Sequence, residues 1–579
     1  MRPIKFFCMS IFLLICFFVA APVHAGQIQA AVSPGGITST KATVNLLGRI
    51  VDTENKPVDE VKVQIFVDGK EVDHFLTDVD GKYVSHFQFP EGSIPSALIR
   101  IKASKASFKK QVLEIRGSGL ANQNGNFFIK GNMMLPRVLG PAFWIATIIF
   151  ILVYAMISFE LLHRTVASML GASLMLLISY TFGTIDPAFR IFSFKTAIAS
   201  IDMNVIFLLL GMMVIVGVLK YTGVFQWCAY MAYKLARGKV FLLTIFLIVF
   251  TGVTSAFIDN VTTMLLLTGV AIEICVSLSI NPLAMLIPLV LASNIGGTAT
   301  LIGDPPNIMI GSYAHLSFMN FVVALGIVCG LAAIALIIMS KFVWGKDYAL
   351  GKVDNVEENV ETLKRRYKIT DPSLLIYGLG ILGFVVFLFI SHGYWHMEVS
   401  IAALMGAAVL MTIAILTKKV NLNELIEKDI EWATLLFFIF LFMIVGGVDS
   451  SGLLDLIAGW ILQLSHGSFV ASCSLIIWVS AILSAFVDNI PFTATMLPVV
   501  GYLSTVIPGA GNTLWWALAL GACFGGNGTI IGASANVVTM GIAESRGYRI
   551  TFGGFMKTAF PFMLISVAIG YVWLLVFKP

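Results

Sequence analysis

The chain has 579 residues, 58% of them hydrophobic and only 12% charged, with a mean hydropathy of +0.91. About 20 apolar residues in a row suffice to cross a bilayer, so this composition excludes an ordinary soluble protein and describes a polytopic one with lipid as its surroundings. The net charge of +5 is ordinary for such a protein, no nucleic acid is expected as a partner, and the placement of the charges says more than their sum.

Residues 1–25 carry Arg2 and Lys5, an apolar run from Ile11 to Ala21 and the small residues around Ala25, the pattern of a secretory signal. Segment 41–131 then changes to short alternating runs such as VNLLGRIV, VKVQIFV, ALIRIKA and QVLEI, separated by Asn55-Lys56-Pro57, Asp68-Gly69 and Asp80-Gly81. Strands with turn dipeptides at this spacing predict a small β-sandwich, placed outside the cytoplasm by the signal. GRIVDTENKPVDEVKVQIF followed by TDVDGKY resembles the carboxypeptidase regulatory-like, transthyretin-like sandwich family. No cluster of nucleophile, base or metal ligands occurs in this segment, so it reads as an accessory domain.

Apolar spans follow at roughly 142–159, 165–183, 204–219, 283–310 and 320–340, with a short segment at 223–236 and a long broken one at 240–278. The same plan returns at 374–391, 398–416, 433–448, 450–464, 469–507, 513–541 and 558–577. The repetition is literal. SAFIDN (255–260) returns as SAFVDN (484–489), and NIGGTATLIGDPPN (294–307) returns as CFGGNGTIIGASAN (523–536), both shifted by 229 residues. Repeat 1 is therefore taken as 141–340, a cytoplasmic linker as 341–373 and repeat 2 as 374–579. A duplicated membrane unit with polar breaks at matching places points to a secondary transporter. The fold class expected is an α-helical inverted-repeat transporter with two re-entrant hairpins, 240–278 and 469–507, and two broken helices; the alternative for each hairpin is two ordinary crossings joined by an exposed loop.

Between Asp259 and Asp488 the chain crosses the membrane an odd number of times, so the second unit is inverted relative to the first. Lys234, Arg237, Lys239 and the linker residues Lys346, Lys352, Lys364, Arg365, Arg366 and Lys368 mark the cytoplasmic side, whereas Arg190 and Lys195 run against that orientation. All seven cysteines lie in apolar runs without CxxC spacing, so they read as small buried residues. Glu273 and the histidines 163, 315, 392, 396 and 466 fall near span ends and read as solvated.

A carboxylate inside a membrane segment marks a functional site by default, and Asp259 and Asp488 occupy equivalent breaks. The hairpin tips also supply Asn260, Thr262, Thr263, Asn489 and Thr493, with Ser255 and Ser484 a turn earlier. Opposite each tip, Gly296, Gly297 and Gly303, and Gly525, Gly526, Gly528 and Gly532, are expected to unwind a helix and expose carbonyls, with Thr298, Thr300, Asn527 and Thr529 among the ion-binding candidates. Asp304, Asn307 and Asn536 complete the candidate set, and Ala533 stands where Asp304 has its counterpart, so one half carries an extra acid. Oxygen-rich sites of this kind suit sodium or a proton. Either tip Asp also fits an N-cap role, and for Asp304 capping and binding stay equally open.

These four motif segments resemble the ion transporter superfamily, and within it the ArsB/NhaD-type permeases, a group that includes the pigmentation P-protein permeases; the resemblance covers about 140–579. Dicarboxylate carriers of the superfamily have Ser-Asn-Thr at the tips, where this chain has Asp259-Asn260-Val261 and Asp488-Asn489-Ile490. Two added negative charges disfavour a dianion. The resemblance implies a sodium/proton antiporter-like carrier with no cofactor, sodium and protons as coupling ions, a sodium site at Asp259, Asn260, Asp488 and Asn489, and residence in a bacterial inner membrane. The alternatives are an anion, arsenite or dicarboxylate permease and, from another class, a receptor or assembly protein with a vestigial core. No nucleophile and base recur together, so no enzyme is expected. A homodimer is allowed, and the β-domain's partner is left open.

Overall fold

The computed structural model describes residues 41–53, 57–78, 80–90, 97–105, 108–116, 121–123, 126–350, 361 and 363–577. The signal segment 1–25, Asn55-Lys56 and residues 351–360 of the linker lie outside them.

The N-terminal segment forms two sheets. One has the order β4 (Lys82–Pro90), β1 (Lys41–Val51), β8 (Asn126–Lys130), β7 (Ala121–Gln123), with β9 (Met133–Met134) also on β1; the other has the order β3 (Lys70–Leu76), β2 (Lys62–Val67), β5 (Leu98–Ser104), β6 (Gln111–Arg116). The two-residue side-chain period of a strand turns Val63, Ile65 and Val67 of β2 and Ile99, Ile101 and Ala103 of β5 toward Val44, Leu46 and Ile50 of β1, and all are buried. Each large side chain so buried contributes about 1.5–3 kcal/mol. Asp68 and Gly69, both at positive φ (49° and 82°), make the tight β2–β3 turn that the dipeptide predicts.

The rest is helical. The first copy comprises α1 (Pro141–Ser158), α2 (Arg164–Tyr180), α3 (Met203–Lys220), α4 (Val224–Ala236), α5 (Val240–Phe257), α6 (Asn260–Ser277), α7 (Leu283–Thr298), α8 (Pro305–Tyr313) and α9 (Phe318–Leu350). The second comprises α10 (Pro372–Trp395), α11 (Val399–Leu416), α12 (Trp432–Ser451), α13 (Leu453–Ser465), α14 (Phe469–Phe486), α15 (Asn489–Val506), α16 (Thr513–Gly525), α17 (Ser534–Ser545) and α18 (Phe552–Phe577). Among the described residues, 11 helices are long and apolar enough to cross a membrane. Helices α4 to α6 begin and end 229 residues before α13 to α15, so the duplication visible in the sequence is a duplication of structure. Helix α9 continues past residue 340 to Leu350, bending at Trp344.

Contacts between helix ends sort them onto two faces. On the β-domain face, Glu60 accepts from Ser193, Arg137 pairs with Asp455 at the start of α13 (2.8 Å), and Phe318 donates to His392 at 3.4 Å. On the opposite face, Lys220 pairs with Asp429 (2.8 Å), Lys419 with Asp371 (2.7 Å), and Glu273, late in α6, accepts from Tyr367 and Arg366. Phe241 at the start of α5 packs on Tyr348, whose hydroxyl donates to Ala284 O at 2.8 Å. Both outer ends of the α5–α6 hairpin thus reach the opposite face. The α14–α15 hairpin opens the other way: Tyr502, Ser504 and Thr505 line a cavity of about 680 Å³ shared with Asp59 and Lys105 of the β-domain.

The two hairpins point at each other from opposite faces, and the packing is reciprocal throughout. Helix α6 packs on α17 as α15 does on α8, α3 packs on α11 as α12 does on α2, and α7 meets its own counterpart α16. Such pairing is the mark of a two-fold relation between the copies.

One expectation is corrected. Gly296 and Gly297 do not unwind the helix, because they lie within the last turn of α7, and neither they nor Gly303 has positive φ. Their value is small size: a Cβ on Gly296 would collide with the Gly252 backbone of α5, and one on Gly525 would lie 2.6 Å from Ala481 O of α14. The helix breaks themselves follow at 299–304 and 526–533.

Candidate functional site

Each hairpin is broken by two extended residues. Ile258 (φ −130°, ψ 139°) and Asp259 (φ −54°, ψ 153°) end α5, and Val487 (φ −122°, ψ 133°) and Asp488 (φ −45°, ψ 133°) end α14. Each Asp then restarts the chain as an N-cap: Asp259 accepts from Thr262 N at 2.9 Å and Asp488 from Ile490 N at 3.0 Å. The other oxygen of Asp488, Oδ2, accepts from Ser534 Oγ at 2.8 Å.

Between the tips, the Asn260 amide donates to Asn294 Oδ1 of α7 at 3.0 Å, and Asn294 donates across the two-fold to Asn527 and Asn536 Oδ1 at 2.9 and 3.1 Å. The mirrored bond is weaker, because Cys523 stands where Asn294 has its counterpart; its thiol reaches Asn307 Oδ1 at 3.7 Å. Asn307 and Asn536 otherwise close their own breaks, donating to the carbonyls of Gly297, Thr298 and Thr300 and to those of Gly526 and Thr529. These carbonyls accept from amides, which leaves fewer of them for an ion than the motif suggests.

Several hydroxyls are likewise engaged. Thr300 and Thr529 donate to Ala256 O and Ala485 O, Ser255 meets Ser293, Ser484 donates to Ala522 O, and Thr298, Thr263 and Thr493 bond carbonyls of nearby backbone. The Thr300 and Ser255 bonds fasten α5 to the end of α7, and the Thr529 and Ser484 bonds fasten α14 to α16. Gly526 sits at the α16 C-cap, and Thr262 contributes its backbone N–H.

Asp304 differs from the tip acids. It is buried (1% exposed), and although it precedes α8 its side chain makes no cap hydrogen bond. Instead it reaches across the two-fold to the Asn489 amide at 3.2 and 3.4 Å. Asn489 is the neighbour of Asp488 in the chain, so this contact sets Asp304 beside the second tip.

Two further charged residues complete the site. Arg164, the first residue of α2, lies 3.6 Å from Asp488 Oδ2 and donates to Ser534 Oγ (2.5 Å), which itself donates to Asp488 (2.8 Å). Glu431, the N-cap of α12, accepts from Thr434, which in turn accepts from Arg164. Neither was legible as a site residue, since a single charge at a span end looks like an interfacial one. Asn294 and Cys523 open the repeated glycine motifs, and their register was the available signal. A cavity of about 480 Å³, lined by Glu160, His163, Arg164, Asp488 and Ser534, leads from the opposite face to the second tip. Among the described residues no three His, Cys, Asp or Glu side chains converge as a metal-ligand cluster.

The profile of the CitMHS family, described as a citrate transporter, matches residues 154–521, from within α1 to within α16. The chain belongs to this family. Among its relatives, an uncharacterized transporter of Mycobacterium tuberculosis is 39% identical over 74% of this chain and 98% of its own. The human P protein is 35% identical over 75% of this chain and 59% of its own length, so the chain spans little more than half of that relative. The YdaH transporter of Alcanivorax borkumensis is a solved structure at 14% identity and TM-score 0.48, covering 72% of this chain and 98% of its own. Family membership makes the chain a membrane transporter of this superfamily, as the tip motifs imply.

Proposed function

We propose that the protein is a secondary transporter that exchanges a small cation, sodium first, for protons at the meeting point of the two hairpin tips. The observation that carries the reading is a charge imbalance. Asp488 pairs with Arg164, Glu431 is joined to the same arginine through Thr434, Asp304 faces Asn489 beside the second tip and Asp259 caps the first, and among the described residues no other Lys or Arg pairs with any of the four. Fully ionised, four acids against one base leave three negative charges inside a membrane domain, which binding a cation or protons relieves. Proton and sodium then compete for the same carboxylate oxygens.

The basic residues Lys220, Lys234, Arg237, Lys239 and Arg366 support a cytoplasmic assignment for the opposite face, under which the β-domain would lie outside a bacterial inner membrane. Alternating access would come from one repeat moving against the other about the tips.

The test is dissipation of an imposed proton gradient in proteoliposomes. Sodium should collapse the gradient, with an apparent affinity that weakens as pH falls. A second reading, an anion carrier, is favoured by the family's citrate description and by the buried Asn527 Nδ2, which has no acceptor among the described residues. If sodium, lithium and potassium have no effect while labelled citrate or an oxyanion enters, that reading replaces the first.

A further inference from the structure

The two tips share a motif but differ in charge environment, and the difference lies in one side chain. Among the described residues Asp259 has no basic partner. Asp488 has Arg164, which is bonded on both sides: Nη1 reaches Asp488 directly and through Ser534, and Nη2 donates to Thr434 Oγ1 at 3.0 Å, which donates to Glu431 at 2.9 Å. The guanidinium also lies over the Phe437 ring, 5.1 Å from its centroid. Arg164 belongs to the first repeat, whereas Asp488, Glu431, Thr434, Ser534 and Phe437 belong to the second, so the side chain ties the two units together at the inner end of the 480 Å³ cavity.

We propose that Arg164 is an internal counter-cation at the second tip, which an incoming alkali cation must displace from Asp488, and that it thereby sets how tightly the carrier holds its cargo. The inference rests on the cation reading above. An arginine does not give up its proton at any working pH, so the second tip keeps a positive partner even when no cargo is bound. An ion arriving through the cavity meets a carboxylate already engaged by Arg164 and Ser534. Two cations on one carboxylate repel, so the ion and the guanidinium exclude each other. Thr434 and Glu431 offer the displaced guanidinium a second acceptor, which keeps the exchange local.

The experiment measures sodium-dependent proton exchange in proteoliposomes, and sodium-dependent thermal stabilisation in detergent, for wild type, Arg164→Gln, Arg164→Lys and Arg164→Gln/Asp488→Asn. Removing the competitor should tighten apparent sodium affinity in Arg164→Gln about tenfold, within the usual range of coupling between exclusive ligands, and slow maximal turnover because release slows. Arg164→Lys, which keeps the charge, should stay near wild type, and the double variant should lose the gain. A merely structural arginine would lower folded yield without tightening sodium binding. Weaker or unchanged sodium affinity in a folded Arg164→Gln protein overturns the proposal while leaving sodium exchange in place. A wild type indifferent to sodium in both assays overturns the function and this inference together.

Discussion

At the scale of single residues, the acids of the site divide by what their oxygens already do. The tip aspartates each spend one oxygen on a helix cap, which an asparagine can also provide, so Asp259→Asn should fold and lose coupled exchange while keeping its place in the membrane. Normal exchange by that variant would reduce Asp259 to a cap. Asp304 has no capping bond to preserve, and its carboxylate faces Asn489. Asp304→Asn should therefore weaken apparent sodium affinity by about 10–100-fold, the range seen when groups that support a cation site are altered. An unchanged sodium dependence would leave Asp304 with a packing role only.

At the scale of elements, the α5–α7 crossing depends on two glycine backbones in contact. Gly296→Ala places a methyl against Gly252 and should destabilise the protein by about 1–3 kcal/mol, seen as a lower melting temperature in detergent. An unchanged melting temperature would mean the crossing opens freely. Helix α10 starts on a different device. The Leu374 N–H, followed by the Lys419 ammonium and the Ser373 hydroxyl, holds the Asp371 carboxyl down to about 2. A depressed carboxyl stabilises the fold above its unfolded value near 3.9 and loses that contribution as pH falls through its folded value. Amide exchange at Leu374 should quicken as pH drops from about 4 toward about 2, once corrected for intrinsic rates; a flat profile would deny the cap.

The hairpins and broken helices were legible because a carboxylate or a glycine cluster interrupts an apolar run, and because the interruption recurs at a fixed distance. The role of Gly296, Gly297 and Gly525, which stay inside the helices, was not, since a sequence does not distinguish a glycine that breaks a helix from one that lets two helices touch. Arg164 and Glu431 were hidden for another reason: each lies at a helix start, where charge is cheap, and only the third dimension brings it beneath a tip.

At the scale of the whole molecule, the contacts put the start of α5 and the start of α14 on opposite faces. Single cysteines near Arg237 and near His466, in a background lacking reactive thiols, should therefore be labelled from opposite sides of a sealed vesicle. Labelling from one side would break the two-fold relation. The β-domain is held by Arg137, which pairs with Asp455 and reaches the carbonyls of Asp449 and Ser450 at the end of α12. Deleting 41–131 removes none of the site residues and should leave measurable transport in protein that inserts correctly, whereas complete loss would make the domain part of the mechanism.

The unequal halves carry one more implication. In a carrier built from two identical inverted copies, the form open to one side and the form open to the other would be the same structure turned over, equal in free energy and equally populated. Here Asp304 faces Asn489 with no mirrored pair, since Ala533 stands in its place, and Asn294 is matched by Cys523. Bonds present in only one copy would contribute unequally to the two orientations. An imbalance of about 1.4 kcal/mol would already hold the resting protein tenfold toward one side. The drift between the copies would thus give the carrier a preferred direction of waiting.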